Sequence, residues 1–134
     1  MEKILLWIWQ FPQNIIGLLI LYVNKLNGYC LKIKSKDGIE YYHVRHLNKC
    51  GVSLGNYIFL DYDNSLSDQL IHHELGHQKQ SIQYGWLYLF IVGLPSIIGN
   101  IYGRIMKKDA KWYYNLPWEK QADKLGGVIR FWKQ

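Results

Sequence analysis

Two long apolar runs flank a stretch of alternating polarity, and this pattern predicts most of the elements. Residues 4–23 are mostly apolar, with Gln10, Pro12, Gln13 and Asn14 interrupting the run. A membrane-spanning helix needs about 20 predominantly apolar residues. The polar, proline-marked centre instead predicts two short helices broken near Pro12, packed on a core or lying in a membrane interface. From Tyr29 the period changes to two. Residues 29–34 alternate, Lys36-Asp37-Gly38 reads as a hairpin turn, and residues 39–44 return. A second pair is predicted at 51–54 and 57–60 around a Gly55-Asn56 turn. These four segments predict a small antiparallel sheet over 29–60.

A helix is expected over 65–84, with Ser65 and Asp68 spaced as a capping box and Gly85 at its end. Leu66, Leu70, His73 and His77 fall on one stripe of it, so the two histidines continue an inward-facing apolar surface. Gly76 inside this helix costs about 1 kcal/mol relative to Ala, which implies close approach of another segment. The second apolar run, residues 86–104, is interrupted by Gly93, Pro95, Ser96, Gly99 and Asn100. It predicts two short helices or a bent re-entrant segment. A last helix is expected over 117–125, with Pro117 in its first turn and Gly126-Gly127 at its end. The expected class is α+β in a single domain, 1–134: a small sheet, the helix over 65–84, an apolar helical hairpin and a closing C-terminal helix.

The chemistry sits in His73-Glu74-Leu75-Gly76-His77. On an α-helix, residues four apart share a face, so both imidazoles can reach one metal ion. Glu74 stands beside the first, where a carboxylate can activate a metal-bound water. This HExxH spacing is that of zinc metallopeptidases. Such a site needs a third protein ligand. All five histidines lie at or before His77, and Gln80 and Gln83 occupy the positions where a third histidine would follow in metzincins. A downstream carboxylate is therefore expected, and Asp109, Glu119 and Asp123 are the choices. Glu119 and Asp123 share a helix face that flanks the small Ala122. His43 and His46 read as ordinary histidines of the sheet or its exit.

Composition adds two qualifications. The net charge is +6 and aromatic residues make up 16% of the chain, including 6 Trp and 11 Tyr. Amphipathic rings suit wet-apolar boundaries, so residues 4–23 and 86–102 are candidates for contact with a membrane surface. No basic block or finger spacing accompanies the charge, and no nucleic-acid partner is expected. Two cysteines, Cys30 and Cys50, do not make a disulfide scaffold. No cleavable signal peptide is evident, which favours an intracellular or membrane-associated location.

His73-Glu74-Leu75-Gly76-His77 followed by Glu119-Lys120-Gln121-Ala122-Asp123 resembles the HExxH…ExxAD arrangement of gluzincin-type peptidases, notably the HtpX and CAAX-prenyl peptidase group. The resemblance covers these two short motifs, and the chain is too short for that group's multi-spanning architecture. It implies that His73, His77 and Glu119 bind one zinc ion and that Glu74 is the general base. Asp123 would orient a ligand histidine from outside the coordination sphere. The implied activity is hydrolysis of a peptide or protein substrate. An extended peptide could lie along residues 57–60 if that strand is an edge. Tyr113, Tyr114 and His72 are the candidates for an oxyanion partner. The alternative is a non-catalytic protein, either zinc-stabilised or binding at a membrane interface. A single membrane crossing by residues 86–102 is incompatible with the zinc site, because it would separate His77 from Glu119.

Overall fold

The computed structural model describes residues 1–45, 47, 50–62 and 67–132. The expected elements form in order. The N-terminal run makes α1 (Glu2–Trp9) and α2 (Phe11–Leu26), which meet at 89°. Pro12 occupies the first turn of α2, where its missing N–H costs nothing. Four strands follow: β1 (Leu31–Lys34), β2 (Glu40–Val44), β3 (Gly51–Leu54) and β4 (Tyr57–Asp61). Then come α3 (Asp68–Tyr84), a 3₁₀ turn (Gly85–Leu87), a π-helical turn (Leu89–Gly93), α4 (Leu94–Ile105), α5 (Ala110–Tyr114) and α6 (Pro117–Gly126). The class is α+β.

The sheet differs from the expected all-antiparallel form. Its order is β1-β2-β4-β3, with antiparallel hairpins at both ends and a parallel β2–β4 pair at the centre. Both hairpins arise as their turns dictate. Joining them through β2 and β4 places the two most buried strands in the middle, which leaves β3 at an edge and β4 inside. Strand β4 therefore lies inside the sheet, with Phe59 and Leu60 paired on both sides, and offers no free edge for a peptide along 57–60.

Period two along β4 feeds two core layers. Ile58 and Leu60 pack with Tyr41, Leu70 and Ile71 between the sheet and α3. Phe59 packs with Val44 and Leu21 on the side of α2. The sheet thus lies between α2 and α3, and α3 presents its other face to α6.

Helix α3 begins later than the sequence implies. Ser67, not Ser65, is its N-cap, accepting from the Leu70 N–H at 3.4 Å. Asp68 lies in the first turn, where the positive end of the helix favours a carboxylate. Ser65, Leu66 and His46 lie outside the described residues. The close approach expected at Gly76 is with α6. A Cβ there would sit 1.8 Å from the Ala122 carbonyl oxygen, and one on Gly126 would sit 1.9 Å from the His72 carbonyl oxygen. Only hydrogen at both positions lets the two helix backbones touch.

Candidate metal centre

The α3–α6 contact brings the two sequence motifs together. His73 and His77 project from α3 with their rings 4.6 Å apart, and Glu119 projects from the first turn of α6. His73 Nε2 and His77 Nε2 each lie 3.1 Å from Glu119 Oε2. Ligand atoms of the three residues all fall within 4.8 Å of one another, and all three side chains are buried. Adjacent ligands of a tetrahedral zinc, each about 2.0–2.2 Å from the ion, are themselves separated by about 3.3 Å. The two histidine–carboxylate separations match that spacing, and the three residues could hold a metal ion.

Hydrogen bonding at the far side of each ligand shows which atoms converge. His73 Nδ1 lies 2.7 Å from Asp123 Oδ1, and His77 Nδ1 lies 2.7 Å from Gln80 Oε1. The Gln80 amide nitrogen donates to the Trp118 carbonyl and to Gln121 Oε1, so its oxygen must face the histidine. Both imidazoles therefore donate from Nδ1, which leaves their Nε2 lone pairs directed at Glu119 Oε2. The other carboxylate oxygen, Glu119 Oε1, accepts from Ser96 Oγ and from Tyr113 OH. Three acceptor atoms thus meet in a buried space, an arrangement that repels itself unless a cation or protons lie between them.

The electrostatics agree. Burial alone would lower the His73 pKa, but hydrogen bonds to Asp123 and Glu119 outweigh it and raise the value to about 9. Burial alone would raise that of Glu119, and the two histidines instead hold it well below the usual carboxylate range. A proton held by His73 places positive charge against Glu119.

Glu74 lies beside this cluster on the wall of the same cavity. It is 3% exposed and its Oε2 has no hydrogen-bond partner among the described residues. Burial raises its pKa. Gly51 of β3 makes room for it, since a Cβ there would stand 2.6 Å from Glu74 Oε1. A buried carboxylate oxygen without a partner is costly and implies a ligand or water at that place.

The cavity holding these groups measures about 900 Å³. His73, Glu74 and His77 line it, β3 contributes Gly51 through Leu54, and α2 and α4 supply apolar walls.

The motif residues named from sequence, His73, Glu74, His77, Glu119 and Asp123, all converge. His43 does not join them: it lies in β2, with its ring against Tyr41 and Tyr62. The three oxyanion candidates separate. His72 pairs with Asp37 outside the cavity, and Tyr113 is committed to Glu119. Tyr114 lines the cavity with its ring edge-on to His73 at 5.1 Å. Burial raises its pKa to about 12, so its hydroxyl remains a donor. Sequence reasoning missed Gln80, Ser96 and Arg130 as partners of site residues. In the sequence Gln80 stands where metzincins place no such glutamine, and its position three residues after His77 puts it on the ligand face. Arg130 Nε and Nη2 grip Asp123 at 2.6 and 2.9 Å from the C-terminal tail. Cys30 and Cys50 are not joined in a disulfide.

No known protein family, curated protein or solved structure matches the chain.

Proposed function

We propose that this protein is a zinc-dependent metallopeptidase with Glu74 as its general base. The observation that carries this reading is the convergence of three lone-pair donors, His73 Nε2, His77 Nε2 and Glu119 Oε2, beside the buried and unpartnered Glu74 Oε2. A purely structural zinc site has no use for that carboxylate. Zinc held by the three donors would polarise a scissile carbonyl and lower the pKa of a bound water toward about 7.

The remaining steps belong to the chain's own residues. Glu74 Oε2 accepts a proton from the attacking water and delivers it to the leaving amine, so the base is regenerated in each cycle. Its burial raises its basicity, which suits both halves of that transfer. Tyr114, protonated at neutral pH and facing the cavity, donates a hydrogen bond to the developing oxyanion. A peptide lies along β3, the edge strand that lines the cavity, rather than along β4. Asp123 and Gln80 keep each imidazole turned with Nε2 inward.

Metal analysis and hydrolysis of a fluorogenic peptide library test this on three proteins. Wild type should carry one zinc per chain and cleave. Glu74→Gln should keep the zinc and lose at least about a thousandfold in rate. Glu119→Gln should lose most of the zinc. A wild type without stoichiometric metal, or a Glu74→Gln variant as active as wild type, sinks the proposal.

A further inference from the structure

The apolar runs are turned outward and their polar residues inward, the reverse of an ordinary surface helix. Gln10, Gln13 and Asn14 are at most 1% exposed, while Leu19, Tyr22 and Val23 of α2 are 60, 61 and 53% exposed. The buried amides are not idle. Gln13 donates to Ser81 Oγ and to the Gly85 carbonyl, Gln10 accepts from Ser81, and Asn14 accepts from the Asn56 N–H. Helix α4 repeats the inversion. Gly99 and Gly103 are buried and Ser96 turns to Glu119, whereas Ile97, Ile98, Ile101 and Ile105 are 53–73% exposed. Ile16 and Ile20 of α2 meet Leu94, Ile97 and Ile101 of α4 around one cavity, and exposed apolar surface of this extent marks an interaction site.

We propose that the face built from α1, α2 and α4 docks into the headgroup–acyl boundary of an anionic lipid bilayer. Charge complementarity selects this occupant over a second copy of the chain. Residues 3–36 and 75–108, which contain α2, α4 and all of α1 except its first residue, Glu2, include no Asp or Glu. They carry Lys3, Lys25, Arg104, Lys107 and Lys108, all exposed. Two like-charged faces repel, whereas an anionic leaflet attracts each of them. The tryptophans fit the same boundary. Trp9 Nε1 donates to the Ile82 carbonyl and Trp86 Nε1 to the Ile8 carbonyl, both at 2.8 Å. Their N–H groups are satisfied within the protein, and their rings remain half exposed for acyl chains.

Shape favours lying on the bilayer over crossing it. Among the described residues no single helix is long and apolar enough to span, and the two candidate pairs are bent by 89° and 119°. Crossing between α3 and α6 would also separate His77 from Glu119. Ile16, Ile20, Leu94, Ile97 and Ile101 of the same helices wall the site cavity. Docking therefore brings that cavity to the lipid surface.

Co-sedimentation of the full chain with large unilamellar vesicles provides the test. Phosphatidylcholine vesicles with about a third phosphatidylglycerol should bind it, pure phosphatidylcholine should bind it less, and high salt should weaken binding. Leu19→Glu combined with Ile98→Glu changes two exposed positions. It should cost at least tenfold in binding while circular dichroism and melting stay unchanged. Lys107→Gln with Lys108→Gln should cost about fivefold per charge. The proposal is overturned if wild type stays in the supernatant with both vesicle types, or if the Leu19/Ile98 variant binds as wild type does. It is equally overturned if wild type is a lipid-indifferent dimer in solution that this variant converts to monomer. None of these readouts uses metal or hydrolysis, so they stand apart from the test of peptidase activity.

Discussion

His73 Nδ1 meets Asp123 Oδ1 at 2.7 Å across the α3–α6 contact, and this bond sets the direction in which the imidazole offers its other nitrogen. Asp123 is itself held by the two-pronged grip of Arg130, whose guanidinium stacks 3.4 Å from the centre of the Tyr114 ring. The chain Arg130–Asp123–His73 thus runs from the C-terminal tail to the metal site. Losing such an orienting carboxylate typically costs 10–100-fold in metal affinity. Asp123→Asn is expected to weaken zinc binding by about that factor in competition with a chromophoric chelator, with the fold retained. Unchanged affinity would remove Asp123 from the site's working parts.

The metal-free protein should lose stability as the pH rises from neutrality to above about 9. The His73 pKa is raised to about 9, against about 6.5 in an unfolded chain. A raised value stabilises the fold fully below the unfolded pKa and ceases to do so as pH climbs through the folded one. Glu119 has the opposite sense. Its lowered pKa contributes above the usual carboxylate value and is lost only in strong acid. Chelator-treated protein should accordingly melt at a lower temperature at pH 9.5 than at pH 6.5. Zinc displaces the proton, so its affinity should rise over the same interval. A flat melting profile without metal would contradict the convergence of the three acceptors.

Gly76→Ala should be severely destabilising. The added methyl meets the Ala122 backbone carbonyl, which cannot swing aside as a side chain can. Overpacking of a well-packed interior costs about 1–3 kcal/mol, and a clash with backbone belongs at or above the upper end. Urea denaturation should show this loss together with weaker metal binding, because α6 carries Glu119. An alanine variant of wild-type stability would mean that α3 and α6 do not approach here.

Gln13→Leu should destabilise the protein even though it places leucine at a fully buried position in an apolar run. It removes donors from Ser81 Oγ and the Gly85 carbonyl, and unsatisfied buried groups cost about 1–3 kcal/mol. A simple hydrophobic reading of this helix predicts the reverse sign. Thermal melts of the two proteins distinguish them.

How much of this was legible in advance differs between parts. The HExxH spacing, the break at Pro12, the four strand segments and the helix from Pro117 follow from local rules, in which period, turn residues and helix stops act over a few positions. The choice of Glu119 and Asp123 was reachable because few carboxylates follow His77 and their four-residue spacing shares a face. The parallel central pair of the sheet was not, since strand pairing order is decided by which strands bury most surface against α2 and α3. The edge strand consequently moved from β4 to β3. The N-cap of α3 is Ser67, two residues after the expected Ser65, because the capping-box spacing alone does not fix which serine accepts the first helical N–H.

By itself, then, the sequence determined the ligand spacing on α3, the need for a distant carboxylate and the positions at which the apolar runs break. These depend on backbone geometry shared by every helix and turn. Only the tertiary structure decided that Gln80, Ser96, Tyr113 and Arg130 hold the site, and that Gln10, Gln13 and Asn14 face inward while the leucines and isoleucines beside them face out. Those outcomes depend on which faces meet, and a side chain's partner across 23 or 68 positions is set by the packing of whole elements.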